Sequence, residues 1–204
     1  MTELDKIAFG NYSHADRDAE TAVFMGGGAT VGKLYVSPPT PGVMSQLEML
    51  ESSFVTGEEI TVEHCFMAIY LLRKSSPDAI SDKADFSAII ADVGDINIKG
   101  FHPLVNLFEM SMRGFRMIPD EKASDKPRDH RHFDAEWLSL MVSVGVKMSG
   151  RTDQDILWNT PLCTMGFYFA QYLRENGMKG IGRVKDIKAM MAHIKAKREV
   201  KING

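Results

Sequence analysis

Residues 37–72 decide the fold, and they run SPPTPGVMSQLEMLESSFVTGEEITVEHCFMAIYLL. Pro41 suits the first turn of a helix, because its missing N–H needs no partner there. Val43, Leu47, Leu50 and Phe54 follow at spacings of four, three and four residues, which is the period of one helical face. The spacing therefore predicts an amphipathic helix whose apolar face must be buried against something.

A second amphipathic helix is predicted directly after it. Gly57 marks a turn, and Thr61 is a suitable N-cap with the acidic Glu63 in the first turn, where it favours the helix dipole. The apolar stripe of this helix comprises Cys65, Ile69 and Leu72. The whole stretch contains no run of catalytic residue types, so it predicts packing or partner binding.

Helical signals continue through the rest of the chain. Capping residues, prolines at helix starts and glycines at helix ends bound the candidates. We expect helices within 76–94, 103–118, 134–150, 152–158 and 161–177, and an amphipathic helix in the tail. The predicted fold is mainly α: an irregular N-terminal arm with a possible short β-hairpin, then about six to eight packed amphipathic helices.

The same signals divide the chain into five parts. The run PDEKASDKPRDHRH at 119–132 is charged and has almost no core-forming side chain, which is typical of an exposed loop or hinge. The predicted parts are an irregular N-terminal arm at 1–36, a helical subdomain at 37–118, a charged loop or hinge at 119–133, a second helical subdomain at 134–177 and a basic amphipathic tail at 178–204.

Composition indicates a globular protein of a reducing compartment. The 204 residues are 44% hydrophobic and carry a net charge of −3. Cys65 and Cys163 fall in apolar helical patterns and indicate neither a disulfide framework nor a Cys-x-x-Cys site. Glu3 and Asp5 stand where an export signal requires positive charge, and no apolar run is long enough to span a membrane. We therefore expect a soluble protein.

The segment GGATVGKL at 27–34 matches the spacing of a phosphate-binding loop. Such a loop requires a hydroxyl residue after the lysine and a helix that starts there, whereas Lys33 is followed by Leu34 and then by two prolines, Pro38 and Pro39. The sequence therefore favours a glycine-rich turn between short strands, and no cofactor is expected.

One loop offers residues for metal or acid–base chemistry. Asp129, His130, His132 and Asp134 could ligate a divalent ion if the loop folded around it. Alternating charges beside a proline are more often simply solvated, and the cysteines that would complete a zinc site lie elsewhere. A metal-dependent enzyme stays open as an alternative, although the main prediction is a protein without catalytic or metal-binding residues.

The tail at 178–204 contains eight basic and two acidic residues, a local charge of +6. Val184, Ile187 and Met191 form an apolar stripe among its lysines. The tail has three interpretations: it packs on the body of the protein, it binds an acidic or disordered protein segment, or it binds nucleic acid. Nucleic acid is the least favoured, because no aromatic residue is present on which a base could stack.

Two segments of the sequence resemble a known family. PPTPGVMSQLEMLESSFVTGEEITVEHCFMAIYLL at 38–72 and DILWNTPLCTMGFYFAQYLRENG at 155–177 are similar to tail assembly chaperones of long-tailed bacteriophages. The shared pattern is a proline-containing helix entry, a leucine and glutamate stripe and an S-x-F-V-x-G turn, then later a Pro-Leu-led helix that ends in glycine. It covers about a third of the chain.

The resemblance implies a helical, non-enzymatic protein of the host cytoplasm that binds the tape-measure protein and keeps it soluble during tail morphogenesis. It implies apolar surfaces with adaptable side chains, and the 14 methionines suit that role, although most of them are expected in the core. The methionine candidates for partner contact, each near a helix face or end, are Met44, Met49, Met110, Met112, Met190 and Met191. The predicted partner-binding residues are Met44, Leu47, Phe54, Met110, Met112, Met190, Met191, Lys195, Lys197 and Arg198.

Other partners and functions follow from the same features. Self-association is compatible with exposed apolar faces, and a membrane is not expected. An alternative to the chaperone is a virion structural or nucleic-acid-binding adaptor that uses the basic tail.

Overall fold

The computed structural model describes residues 22–23, 25–80, 86–94, 96–112, 115 and 133–177. These residues form eight α-helices, two 3₁₀ turns and one two-stranded sheet. The prediction of a mainly α fold with a short N-terminal β-hairpin is confirmed. Within the described residues, none of the helices combines the length and apolarity that a membrane span requires.

The glycine-rich segment forms the hairpin. Strands β1 (Ala29–Val31) and β2 (Leu34–Val36) are antiparallel, with Ala29 opposite Val36 and Val31 opposite Leu34. Gly32 sits in the turn with a φ of +60°, and a Cβ there would collide with the carbonyl of Val93. A strand follows the turn where a phosphate-binding loop requires a helix, so the prediction of a glycine-rich turn between short strands is confirmed.

Residues 37–72 form three helices where two were predicted. These are α1 (Pro41–Met49), α2 (Ser53–Thr56) and α3 (Val62–Lys74). Thr61 caps α3 as expected, because its side chain accepts a hydrogen bond from the backbone N–H of His64 over 3.3 Å. The single stripe from Val43 to Phe54 is wrong, since α1 ends at Met49 and the chain turns before α2.

The middle of the chain carries α4 (Ser87–Val93) and α5 (His102–Met112). A 3₁₀ turn at Ile98–Phe101 leads into α5. The helix predicted to open at Ser76 is wrong at its start, because Pro77 begins only a 3₁₀ turn that ends at Ala79. Residues 81–85 lie outside the described residues, and α4 begins after them.

The last three helices begin and end close to their predicted positions. They are α6 (Ala135–Ser149), α7 (Asp153–Trp158) and α8 (Leu162–Glu175). Asp134 caps α6 by accepting from the N–H of Trp137 over 2.9 Å, and Thr152 caps α7 by accepting from the N–H of Asp155 over 3.2 Å. Gly150 follows α6 in the left-handed conformation that ends many helices.

Residues from both predicted helical subdomains pack into one core. Leu162 and Cys163 of α8 are buried in the same apolar cluster as the hairpin, α1, α3 and α5. Phe133, which the sequence placed in the charged loop, is also buried there. A smaller cluster of Met141, Ile156 and Met165 joins α6, α7 and α8.

Candidate protein-binding surface

Two neighbouring apolar side chains are exposed at the end of α1. Met49 is 70% exposed and Leu50 is 37% exposed. Val43 and Leu47 of the same helix are buried in the core. Since apolar side chains that remain in water contribute little to the fold, an adjacent pair of them marks a candidate contact surface.

The backbone after Leu50 fixes the position of this pair. The N–H of Glu51 donates to the carbonyl of Glu48 over 3.0 Å, and the N–H of Ser52 donates to the carbonyl of Leu47 over 2.9 Å. These two bonds form a Schellman motif, in which the residue at the position of Glu51 is usually glycine. Glu51 has a φ of +50°, so a glutamate holds the left-handed conformation here.

A polar contact orients the loop between α2 and α3. Ser53 Oγ donates to the carbonyl oxygen of Glu59 over 2.9 Å and also contacts Nδ1 of His64. A hydroxyl has one proton, which Glu59 receives, so Ser53 accepts a hydrogen bond from Nδ1 of His64. The loop is thereby tied to both helices, and the side chains of Glu58 and Glu59 remain in solvent.

An aromatic pair anchors α2 to the core. Phe54 is half-buried, and its ring centroid lies 4.4 Å from that of Phe108 on α5. The two rings are tilted by 33°. Aromatic pairs of this kind stabilise by about 1 kcal/mol beyond their buried area. The pair holds α2 against the body of the protein, beside the exposed end of α1.

The charged side chains near the end of α1 and the start of α3 are all carboxylates. Residues 34–72 contain five glutamates and no lysine or arginine. Glu51, Glu58, Glu59 and Glu63 are exposed, and none of them forms an ion pair with another described residue. We define the 49–63 surface as Met49, Leu50, Glu51, Glu58, Glu59 and Glu63. It combines the exposed apolar side chains of Met49 and Leu50 with four carboxylates, and a partner must neutralise their negative charge or bind away from it.

The predicted partner-binding residues fall into three groups. Met44, Leu47 and Met110 are buried in the core, so they serve packing and present no surface to a partner in this fold. Phe54 and Met112 are half-buried against the same core. Met190, Met191, Lys195, Lys197 and Arg198 lie outside the described residues.

Met49 was among the methionines expected to contact a partner, whereas Leu50 was not expected at the surface. Leu50 was assigned to the buried stripe because the spacing fits a continuous helix. The absence of basic residues between Lys33 and Arg73, visible in the sequence, was the available signal for the acidic surface around it.

The residues considered for catalysis give no assembled centre in the described part of the chain. No group of three or more histidine, cysteine, aspartate or glutamate side chains there could hold a metal ion. Asp134 serves as a helix cap, while Asp129, His130 and His132 lie outside the described residues. Burial raises the pKa of Cys65 to about 12, which keeps this thiol protonated and unreactive.

The contact between Ser53 and His64 does not form a catalytic pair. In a serine nucleophile the imidazole accepts the hydroxyl proton, whereas Ser53 donates its proton to Glu59. Ser53 is also only 3% exposed, so a substrate cannot reach it. This contact therefore serves the structure of the loop.

Comparisons were made with protein-family models, with curated proteins and with solved structures. None of the three finds a match to this chain.

Proposed function

We propose that this protein is a non-enzymatic tail assembly chaperone of a long-tailed bacteriophage. It binds the tape-measure protein in the host cytoplasm and keeps it soluble until the tail tube polymerises. The proposal combines the family resemblance of residues 38–72 and 155–177 with one structural observation, the exposure of Met49 and Leu50 at the end of α1.

The chemistry of the 49–63 surface suits an apolar helical client. Methionine is unbranched and polarizable, so Met49 adapts to side chains of different shape along a long repetitive partner. A helical client presents apolar residues three and four positions apart, and the exposed pair of Met49 and Leu50 can bind several of them one after another. The Schellman motif at Glu51 and the Phe54–Phe108 pair hold this exposed pair in position.

The carboxylates of the same surface supply selectivity. Glu51, Glu58 and Glu59 are exposed in the same stretch as Met49 and Leu50, and their negative charge repels acidic segments. They favour stretches of the client in which lysine or arginine flanks the apolar residues. Exposed charges of this kind act mainly on the rate of association, and salt weakens their effect.

Co-expression tests the proposal. The client is the tape-measure protein of a long-tailed bacteriophage, and the readout is its soluble fraction after cell lysis. We expect wild-type protein to raise that fraction several-fold and the variant Met49→Ser/Leu50→Ser to lose most of the effect. Circular dichroism and thermal unfolding verify that the variant is folded.

Met25→Ser is the matched control, because Met25 is 77% exposed but belongs to the glycine-rich segment and not to the 49–63 surface. It should retain the wild-type effect. The proposal fails if wild-type protein leaves the client insoluble. Equal activity of the double variant and the wild type would instead exclude the 49–63 surface as the client site.

A further inference from the structure

We infer that the 49–63 surface binds the basic C-terminal segment of this chain, residues 178–204. The inference rests on the charge and apolar pattern of the two partners, and it does not depend on the identity of any client. It selects the first of the three interpretations that the sequence leaves open for this segment.

The charges of the two partners are opposite and concentrated. Residues 178–204 carry eight basic and two acidic residues, whereas residues 34–72 carry five acidic residues and no basic one. Opposite charges attract over about 10 Å at moderate salt, which steers the segment to this part of the molecule.

The apolar patterns of the two partners also match. Val184, Ile187, Met191 and Ile194 recur at spacings of three, four and three residues, with lysines between them. A helix with this sequence would present one apolar stripe with basic flanks. The 49–63 surface has complementary chemistry, because Met49 and Leu50 are exposed and the exposed charged residues of the same stretch are glutamates.

Ile98 and Ile90 are also exposed, but the charged residues near them do not favour a basic segment. Ile98 is followed directly by the basic Lys99, which would repel the segment. Ile90 is close in sequence to Asp92, but that carboxylate already lies 3.6 Å from the guanidinium of Arg73.

The remaining candidates are also less suitable. Leu140 shares an exposed flank of α6 with Lys147, whose ammonium lies 4.8 Å from the ring centroid of Tyr172. Met25 is in a stretch of glycines without a neighbouring carboxylate. Among the described residues, Met49 and Leu50 are the exposed large apolar side chains that are adjacent in sequence, and their nearest charged neighbours, Glu48 and Glu51, are both acidic.

The length of chain between α8 and the apolar stripe limits this contact. The stripe begins at Val184, seven residues after Gly177, which is the last described residue. An extended chain spans about 3.3 Å per residue, so these residues span about 23 Å. A contact within one chain therefore requires the 49–63 surface to lie within about that distance of the end of α8.

Carbodiimide cross-linking of the full-length protein tests the contact. This reagent joins lysine amines to carboxylates that touch, and mass spectrometry identifies the joined pairs. We expect links from Lys185 or Lys188 to Glu51, Glu58 or Glu59 at least tenfold more often than to Glu136 and Asp153, which are exposed carboxylates elsewhere. The excess should vanish in about 1 M salt, where charges act over only about 3 Å.

Substitutions in the segment provide the matched comparison, because they leave the described part of the chain unchanged. Lys195→Glu/Lys197→Glu/Arg198→Glu should abolish the links from Lys185 and Lys188. The charge-conserving variant Lys195→Arg/Lys197→Arg/Arg198→Lys should keep them. Equal linking to all exposed carboxylates, or linking that survives the three glutamate substitutions, would overturn the inference.

An equal mixture of ¹⁴N- and ¹⁵N-labelled protein shows which copy supplies the segment. Links within one isotope support the inference that the segment binds its own chain, whereas links mainly between isotopes would show that a second copy supplies it and would overturn the inference. The result is also separable from the client experiment, because cross-linking needs no client. If the C-terminal segment and the client both bind the 49–63 surface, they compete for it.

Discussion

Gly42 faces the indole of Trp158 so closely that a Cβ on residue 42 would lie 2.5 Å from the ring. This contact packs α7 against the first turn of α1. It joins two elements that are far apart in the sequence, and it needs a residue without a side chain.

Gly42→Ala should therefore destabilise the protein. Alanine is the better helix former by about 1 kcal/mol, but the clash with Trp158 should outweigh that gain, because overpacking costs about 1–3 kcal/mol. Urea unfolding measures the difference. Ser45→Ala, at a half-buried position of the same helix, should be close to neutral. A Gly42→Ala protein as stable as the wild type would disprove the close contact.

Glu51→Gly should stabilise the protein by about 1 kcal/mol, because glycine adopts a φ of +50° without the strain that a Cβ imposes. Glu51→Ala is the control: it removes the same carboxylate but keeps the Cβ, and it should give no gain. Thermal unfolding of the three proteins decides the outcome. Equal effects of glycine and alanine would show that the backbone is not strained at this position.

Ser53→Ala and Ser52→Ala should differ in sign or size although the residues are neighbours. Removing the Ser53 hydroxyl leaves the carbonyl of Glu59 and Nδ1 of His64 without this partner, which costs about 1–3 kcal/mol. The buried Ser52 hydroxyl has no hydrogen-bond partner among the described residues, so its removal should be neutral or stabilising. Urea unfolding compares both variants, and equal losses would contradict the assignment.

The stability contributed by Asp155 should fall in acid. Hydrogen bonds from Thr152 and Asn159 favour its carboxylate and hold the pKa of Asp155 below its usual value of 3.8. Because folding lowers this pKa, the contribution is complete above the unfolded-state pKa and is lost as the pH falls through the folded-state pKa.

Urea unfolding of wild type and Asp155→Asn at several pH values checks this dependence. The difference in free energy of unfolding should be constant between about pH 7 and pH 5 and should shrink below about pH 4. A difference that persists unchanged at the acid end would show that the charge of Asp155 is not involved.

Helix starts were predictable because a cap is a local feature. Thr61, Asp134 and Thr152 are followed within three residues by the N–H group that each side chain accepts from. Only a few residues decide these positions, so the sequence alone was sufficient for them.

The end of α1 and the buried faces were harder to predict. The end of α1 is fixed by the left-handed Glu51, and no glycine announces it. Met44 is buried by tertiary packing, which its own segment does not encode. Contacts of this kind include that of Trp158 with Gly42, which are more than a hundred residues apart in the sequence. The candidate surface at Met49 was only partly predictable for the same reason.

The backbone N–H of Leu162 donates to the carbonyl of Pro39 over 2.8 Å, and Leu162 and Cys163 complete a cluster that begins at the hairpin. During synthesis on the ribosome, residues 37–112 emerge long before these two partners exist. The apolar side chains that Leu162 and Cys163 cover in the folded protein are therefore exposed to solvent during synthesis. Folding is completed only after α8 has been translated.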